Sequence, residues 1–306
     1  MPNIFRREAR SFGGLVLRGF RIFLRNRAGV FFSLLAPLIV LLLYFLFLGD
    51  IQMTSVKSAL EGLPYDEKAL KGFVDGWMIA GVVSVSCITV SFSAQSVMIE
   101  DGERGTLSDI LVSPVRRATV TAAYFAYNFV VTCAIVFVVL CVCFVYLAIV
   151  GWYLTVGQVF AAIGMVIMSA FSASLISTLI CRFIRTSSVH SAVTGILSAA
   201  IGFLMGAYMP VSIFPTGVQY VVLFVPGTYS AGVFRNIFSQ GALDALCQNA
   251  PAAVETALRE AFTMDMNFFG ITIGAKEMAW IFAVTIAIFL AAFGIMILMR
   301  RLKRHS

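Results

Sequence analysis

The polar segment at residues 100–117, with the sequence EDGERGTLSDILVSPVRR, has the residue types and spacing best suited to contacting another molecule. Leu107, Ile110 and Leu111 recur at three- and four-residue intervals, which places all three on one face of a short helix. An apolar stripe of this length fits a groove on a soluble protein partner, and it fits equally a helix lying on lipid. The composition of the segment leaves both interpretations open.

The limits of this short helix are indicated by its polar residues. Glu103 or Asp101 can begin it, and Pro114 ends it. Glu103 and Arg104 are expected to help orient it. If the stripe is a dry contact, an aspartate in place of Leu107 would bury a charge there, and we expect lost coupling to the partner with insertion into the membrane intact.

Catalytic sites are not supported by the sequence. The phosphate-binding pattern G-x-x-x-x-G-K-[ST] does not occur, and neither does the dipeptide Gly-Lys, so the chain does not bind ATP through such a loop. The two histidines, His190 and His305, have no acidic or thiol partner at a recognisable spacing. We therefore expect no enzyme activity, no cofactor and no metal on this chain.

Small polar residues form two sets along one apolar segment, residues 77–99. One set comprises Ser86, Thr89, Ser93 and Ser96, and the other comprises Ser84, Ser91 and Gln95. A helix places the two sets on different sides. The first set is the candidate for lining a transport pathway and the second for bonding neighbouring helices, although interhelical bonding is the more frequent use of serines in membranes.

The elements that position these residues follow from the composition. Of 306 residues, 60% are hydrophobic and 12% charged, which is too apolar for a water-soluble domain. Six uncharged runs are long enough for helices to cross a hydrocarbon layer of about 30 Å. They are residues 29–48, 77–99, 119–150, 157–181, 191–209 and 278–299. We therefore predict an all-α membrane protein with six transmembrane helices in a domain at residues 29–299.

The basic residues predict which side of the membrane each segment faces. The segments 1–28, 100–118, 182–190 and 300–306 carry seven, three, two and four Lys or Arg residues, sixteen of the 22 in the chain. Under the positive-inside rule these segments, including the basic tail and both termini, are cytoplasmic in an inner or plasma membrane. A role in binding nucleic acid is disfavoured, because no polar recognition domain accompanies the charge.

Two flanking segments complete the predicted architecture. Residues 1–28 are expected to form an amphipathic helix at the membrane interface, with one apolar face made of Phe12, Leu15, Val16, Phe20, Phe23 and Leu24. The external segment 210–277 begins with an apolar stretch interrupted by Pro210, Pro215, Pro226 and Gly227, which fits a re-entrant hairpin or an ordinary external loop. Residues 251–262 within it predict a short helix with Val254, Leu258, Ala261 and Phe262 on one face.

The segment at residues 100–117 resembles the signature of the ABC type-2 transporter permease family, E-x-G-T-L-x-x-L-L-x-[ST]-P. The matching residues are Glu103, Gly105, Thr106, Leu107, Ile110, Leu111, Ser113 and Pro114. Ile110 replaces the commoner Leu, which is a conservative departure. The resemblance implies that this segment is the coupling helix, which in that family contacts the ATPase subunit.

Other parts of the chain agree with the resemblance. Residues 24–27, followed by an apolar run with Pro37, are similar to the family's entry into its first helix, and residues 206–210, 226–229 and Arg235 are similar to its outer re-entrant region. The resemblance implies an exporter made of two permeases, identical or different, and two ATPase subunits that bind ATP and Mg²⁺. The membrane lipid is the remaining partner.

The function expected from these observations is that of the membrane subunit of an ATP-binding-cassette exporter. The apolar, aromatic crossings fit a hydrophobic or amphipathic substrate such as a drug, antibiotic, peptide or lipid. Export of a lipid-linked polysaccharide and an ion-coupled secondary carrier are the alternatives, with a membrane enzyme third. Because the six runs contain no Asp, Glu, Lys, Arg or His, a proton-coupled carrier is disfavoured, while a sodium site made of carbonyls and hydroxyls stays open.

Overall fold

The fold is a bundle of membrane-spanning helices, and the computed structural model describes residues 2–60, 63–248, 250–268 and 271–302. Within these ranges six helices are long and apolar enough to cross a membrane, and a bent helix pair would make seven if it were one span. The six are Pro37–Ala59, Glu67–Glu103, Arg117–Val150, Val156–Cys181, Ser187–Leu204 and Ala275–Ile297. The predicted all-α membrane fold with six spanning helices is confirmed.

The chain begins with helix α1 (Pro2–Arg25), which packs along the side of the bundle. Gly19 lies against the ring of Tyr127, so close that an added Cβ would be 2.8 Å from it. Four members of the predicted apolar face pack on the bundle, namely Leu15, Val16, Phe20 and Phe23. Leu24, which was assigned to the same face, is instead 46% exposed. The amphipathic helix is present, and its position at a membrane interface stays a prediction.

The first spanning helix follows a short helix, α2 (Arg27–Ser33), and is built from three pieces. They are α3 (Leu35–Leu43), a π-helical turn (Tyr44–Leu48) and α4 (Gly49–Ala59). Pro37 accounts for the break after Ser33, because proline has no N–H to donate to the carbonyl of that residue. The predicted end of this crossing at residue 48 is wrong. The helix continues through the polar residues that follow, and Gln52 among them is buried.

The second spanning helix is the centre of the bundle, and 94% of its apolar stretch is buried inside the protein. It consists of α5 (Glu67–Ala94) and α6 (Ser96–Glu103). The predicted start at residue 77 is wrong, because the helix begins where the Asp66 carboxylate caps it by accepting a hydrogen bond from the N–H of Lys68, at 2.9 Å. At Gly76 a Cβ would lie 2.6 Å from a neighbouring backbone oxygen, so glycine permits a very close helix approach in this region.

The remaining spanning helices follow the predicted runs more closely. They are α8 (Arg117–Val150), α9 (Val156–Cys181), α10 (Ser187–Leu204) and α14 (Ala275–Leu302). The predicted fifth crossing, residues 191–209, ends too late, because the chain turns at Gly206 with φ +68°, a left-handed conformation that glycine adopts readily. Of the predicted basic tail, residues 303–306, with His305, lie outside the described residues.

The end of the bundle opposite α1 carries the segment between α10 and α14. A 3₁₀ turn (Val211–Ile213) leads to α11 (Thr216–Leu223) and α12 (Pro226–Leu246), which meet at 93°, the geometry of a broken span or a re-entrant loop. The re-entrant hairpin itself stays a prediction. Next come α13 (Ala252–Ala261) and an antiparallel pair of strands, β1 (Met266–Phe268) and β2 (Ile271–Ile273).

The predicted short helix at residues 251–262 is confirmed by α13, with one correction to its face. Leu258 and Phe262 are buried against the bundle, whereas Ala261 is exposed. The indole N–H of Trp77 donates a hydrogen bond to the carbonyl of Phe262, at 2.9 Å, and the two rings meet edge to face. These contacts attach α13 to the central helix α5.

Candidate functional site

The residues of the sequence motif form a sharp elbow at the end of the bundle where α1 lies, called the basic end below. Helix α6 ends at Glu103, Gly105 adopts a left-handed φ of +79°, and α7 (Thr106–Val112) follows in a new direction. The predicted start of the short helix at Glu103 or Asp101 is therefore wrong, because both residues belong to α6. The predicted end is confirmed, since the helix stops before Pro114.

Asp101 holds three helices together beside the elbow. Its two carboxylate oxygens accept hydrogen bonds from both terminal nitrogens of Arg18, at 2.6 and 2.7 Å, and from the hydroxyl of Tyr124, at 2.7 Å. This joins α6 to α1 and α8. The hydrogen bond to Asp101 also raises the pKa of Arg18, so the guanidinium stays charged. Sequence patterns carry no signal for this pair, because its members are 83 residues apart.

Glu103 and Arg104, which were expected to orient the short helix, make separate contacts. The Glu103 carboxylate accepts hydrogen bonds from the backbone N–H of Ser187, at 3.0 Å, and from the hydroxyl of the same residue. Ser187 is the first residue of α10, where a carboxylate is favoured by the helix dipole. Arg104 forms an exposed ion pair with Glu100, at 3.3 Å. Glu103 thus attaches the elbow to α10.

The apolar stripe of α7 faces its own bundle. Leu107, Ile110 and Leu111 are half-buried against a cluster that includes Phe23 of α1 and Tyr127 of α8. The outer face of α7 consists of Ser108, Asp109 and Val112, and Val112 is 87% exposed. Neither interpretation of the stripe, a partner groove or lipid, included packing within the subunit. Ser108, Asp109 and Val112 are therefore the residues of α7 that face away from this cluster.

The candidate pathway residues do not form an open channel within one subunit. Ser86 and Thr89 are 0% and 2% exposed, and their hydroxyls donate to backbone carbonyls of α5 itself. Ser93 and Ser96 are half-buried. Their role in a pathway stays a prediction, and for the first two it would require the helices around α5 to move.

Two members of the second polar set bond a neighbouring helix, as predicted, whereas the hydroxyl of Ser84 donates to the carbonyl of Ala80 in its own helix, at 2.7 Å. Ser91 shares a hydrogen bond with Ser177 of α9, at 2.7 Å, and the side-chain amide of Gln95 donates to Thr178, also at 2.7 Å. Asn128 of α8 donates to Ser177 at 3.0 Å. Sequence reasoning missed Ser177 and Asn128, although an asparagine inside an apolar run is itself a signal of interhelical hydrogen bonding.

Two ionisable residues are fully buried near the opposite end. The sequence analysis treated one of their helices as uncharged and the other as external. Asp75 of α5 accepts a hydrogen bond from the hydroxyl of Tyr44 in the first spanning helix. Arg235 of α12 donates to the carbonyls of Met205 and Gly206, at 2.7 and 2.9 Å. The predicted uncharged runs are therefore shorter than the spanning helices, which also include ionisable residues such as Asp50 in the first, Asp75 in the second, His190 in the fifth and Glu277 in the sixth.

Comparisons with known proteins agree with this geometry. A family model described as ABC-2 type transporter matches residues 10–239, well over half of the chain, including the elbow and Arg235. A search of curated proteins gives no match. Among the residues that the structure describes, no group of three or more His, Cys, Asp or Glu side chains is arranged to hold a metal ion.

Proposed function

The chain belongs to the ABC-2 type transporter family and is a multi-pass permease subunit whose family implies an ABC ATPase as partner, and from this premise we propose that it exports a hydrophobic or amphipathic substrate. A drug, antibiotic, peptide or lipid fits the apolar composition, which includes 28 phenylalanines. ATP and Mg²⁺ bind to the partner ATPase, and this chain contributes no catalytic group. The basic end faces the cytoplasm, in line with its excess of Lys and Arg.

The observation that carries this proposal is the elbow at Gly105. It presents α7 outside the spanning helices, with the apolar stripe turned inward and Asp109 and Val112 turned outward. We assign the ATPase contact to this outer face. The stripe of Leu107, Ile110 and Leu111 then anchors α7 to the bundle. Displacement of the outer face of α7 by the ATPase would therefore also displace the helices of the bundle.

The transmission has identifiable physical links. Packing of the stripe connects α7 to α1 and α8, and the Asp101–Arg18 pair connects α6 to α1. The bonds between Glu103 and Ser187 connect the elbow to α10. Because packed and hydrogen-bonded helices move as units, displacement of α7 by ATP-driven closure of the ATPases would move these helices together.

A second permease subunit completes the proposed exporter. Only 17% of the apolar stretch of helix α10 is buried inside the subunit. A Cβ added at Gly195 would have no neighbouring atom within 4 Å. A helix surface with small exposed residues allows another helix to approach closely in the membrane. We place the contact between the two subunits, identical or different, on this side of the bundle.

The test separates the two faces of α7. With an ABC ATPase partner co-expressed, Val112→Asp is expected to weaken association of the two proteins at least tenfold while the thermal stability of the permease is unchanged. Leu107→Asp is expected instead to destabilise the permease, since it places a charge against the bundle. Ala9→Asp, at an exposed position of α1, is the control and should change neither quantity. Retained association and transport in Val112→Asp would show that α7 is not the contact.

A further inference from the structure

A cavity of about 1100 Å³ lies at the basic end, beside the elbow and between α8, α9 and α14. Ligand pockets are commonly about 300–1,000 Å³, so this one is large enough for a substantial ligand. Its lining is divided by polarity. The apolar part includes Met98, Ile99, Leu107, Leu111, Val120 and Met296, and the polar part includes Arg116, Arg117, Arg182 and Arg185.

The charge at the cavity is unbalanced. Arg116 is paired with Glu8, at 2.8 Å, and Glu8 is the only acidic residue among the described residues of the lining. Arg117, Arg182 and Arg185 have no carboxylate within 4 Å in the part of the chain that the structure describes. Three guanidinium groups without a carboxylate therefore border one cavity. Guanidinium groups match the geometry of a phosphate better than ammonium groups do, because they can donate two parallel hydrogen bonds.

The cavity adjoins the surface of the bundle that faces lipid. Next to its arginines, Phe183 is 84% exposed and Ile180 is 45% exposed, and Ile295 of α14 is 57% exposed. A ligand in this place would have its charged group among the arginines and its apolar part along Met296 and the α9 surface. This is the division of a phospholipid at the boundary between headgroups and acyl chains.

We propose that the cavity binds the phosphate headgroup of an anionic phospholipid through Arg117, Arg182 and Arg185. The bound lipid fills the space beside Leu107 and Leu111 and along the end of α7, where Val112 also borders the cavity. This site does not depend on the proposed export function, since it needs only the chain and a membrane. It adds a specific lipid site to the general attraction between basic segments and an anionic bilayer.

The experiment uses the purified full-length chain in phosphatidylcholine nanodiscs containing increasing fractions of phosphatidylglycerol. Lipid that stays bound is counted by native mass spectrometry, and the thermal midpoint is measured in parallel. Each arginine near an anionic headgroup contributes about fivefold in affinity, so Arg182→Gln/Arg185→Gln is expected to weaken phosphatidylglycerol binding about 25-fold. Arg10→Gln/Arg21→Gln removes the same charge from exposed positions of α1 and is the control, expected to change binding little.

Three results would overturn the proposal. An equal loss in both double variants would show surface charge without a site. An equal rise of the thermal midpoint with inorganic phosphate, in the absence of phosphatidylglycerol, would show a free-anion site. Unchanged lipid binding combined with lost ATPase association would assign the arginines to a protein contact. If the glutamine variant does not fold, Arg182→Lys/Arg185→Lys retains the charge and is expected to bind with intermediate affinity, because lysine cannot donate in the paired geometry.

Discussion

At the scale of single residues, the contacts around Asp101 show how a charge inside a membrane protein is stabilised. Asp101 is 7% exposed, and its carboxylate has three hydrogen-bond donors, two of them from one guanidinium. The attraction and hydrogen bonds of a paired buried charge offset part of its desolvation penalty, which an isolated buried charge would bear in full. Removing one partner therefore costs more than the loss of a surface ion pair.

This difference can be measured with two ion pairs at the same end of the protein. Asp101→Asn is expected to lower the free energy of unfolding by about 1.5–3 kcal/mol, the range for hydrogen bonds to charged groups. Glu8→Gln, which breaks the more exposed pair with Arg116, is expected to cost about 0–1 kcal/mol. A double-mutant cycle of Asp101→Asn with Arg18→Gln should be strongly non-additive. Additive effects would mean that the Asp101–Arg18 contact contributes nothing to stability.

The residue scale also shows where prediction from sequence stops. Polar residues inside apolar runs indicate hydrogen bonds between helices, and Ser91 and Gln95 make them. Their partners were not predictable, because nothing near Ser177 distinguishes it from the other serines of α9 until the helices are packed. The same holds for Asp101, whose partner Arg18 comes from a helix distant in the chain.

At the scale of elements, the elbow between α6 and α7 depends on the backbone conformation of Gly105. A left-handed φ costs residues with a Cβ about 1–2 kcal/mol, and a Cβ at this position would meet nothing within 4 Å. Gly105→Ala therefore tests the backbone alone. We expect it to lower the free energy of unfolding by about 1–2 kcal/mol and to weaken stimulation of the partner ATPase.

Gly102 offers a matched control for this substitution. A Cβ added there would also meet nothing within 4 Å, but Gly102 lies within helix α6 and has no left-handed φ. Gly102→Ala is expected to be neutral or to stabilise by up to about 1 kcal/mol through higher helix propensity. If the two alanine variants behave alike in thermal unfolding and in ATPase stimulation, the elbow is not held by the conformation of Gly105.

Helix boundaries were predictable where apolar runs end in basic or turn residues, as at both ends of α9. They were not predictable where polar residues continue a helix inside the protein. Asp75 interrupts the apolar pattern of α5, but one of its oxygens accepts a hydrogen bond from Tyr44, and the helix extends back to Glu67. The sequence also left open which surface the α7 stripe contacts. That surface forms only when α1 and α8 pack together.

At the scale of the whole molecule, the orientation in the membrane predicts that Cys247 is external. It follows α12 at the end opposite α1, and burial together with the nearby Glu255 and Asp244 raises the pKa of its thiol. Thiol reagents attack the thiolate, so labelling should be slow near neutral pH and accelerate as the pH rises beyond the ordinary cysteine range, about 8.5.

The measurement uses a variant that retains only Cys247. An impermeant maleimide added to intact cells should label it, and faster at pH 9 than at pH 7. A matched variant without any cysteine measures the background. Labelling that requires permeabilised cells at every pH would reverse the proposed topology of the whole chain.

The energy source of transport is also a property of the whole molecule. We expect transport in liposomes by the chain and its ATPase to require ATP and to continue when proton and sodium gradients are collapsed. Asp75 is the acidic residue that a proton-coupled mechanism would use, yet it is bonded to Tyr44 and fully buried. Asp75→Asn should therefore leave ATP-driven transport independent of ion gradients. Uptake by the chain alone under an imposed gradient, abolished in Asp75→Asn, would favour the ion-coupled carrier.

The attachment of α13 to α5 has an optical consequence. The chain has three tryptophans, and of these Trp77 is 2% exposed while Trp152 and Trp280 are 47% and 74% exposed. The Trp77 indole N–H donates to the carbonyl of Phe262, and the ring lies 5.7 Å from the Arg235 guanidinium. With the two exposed tryptophans replaced by phenylalanine, the fluorescence of the protein comes from Trp77 alone. Its emission wavelength then reports whether α13 stays attached to α5. If the two helices separate during a transport cycle, water reaches the indole and the emission shifts to the red.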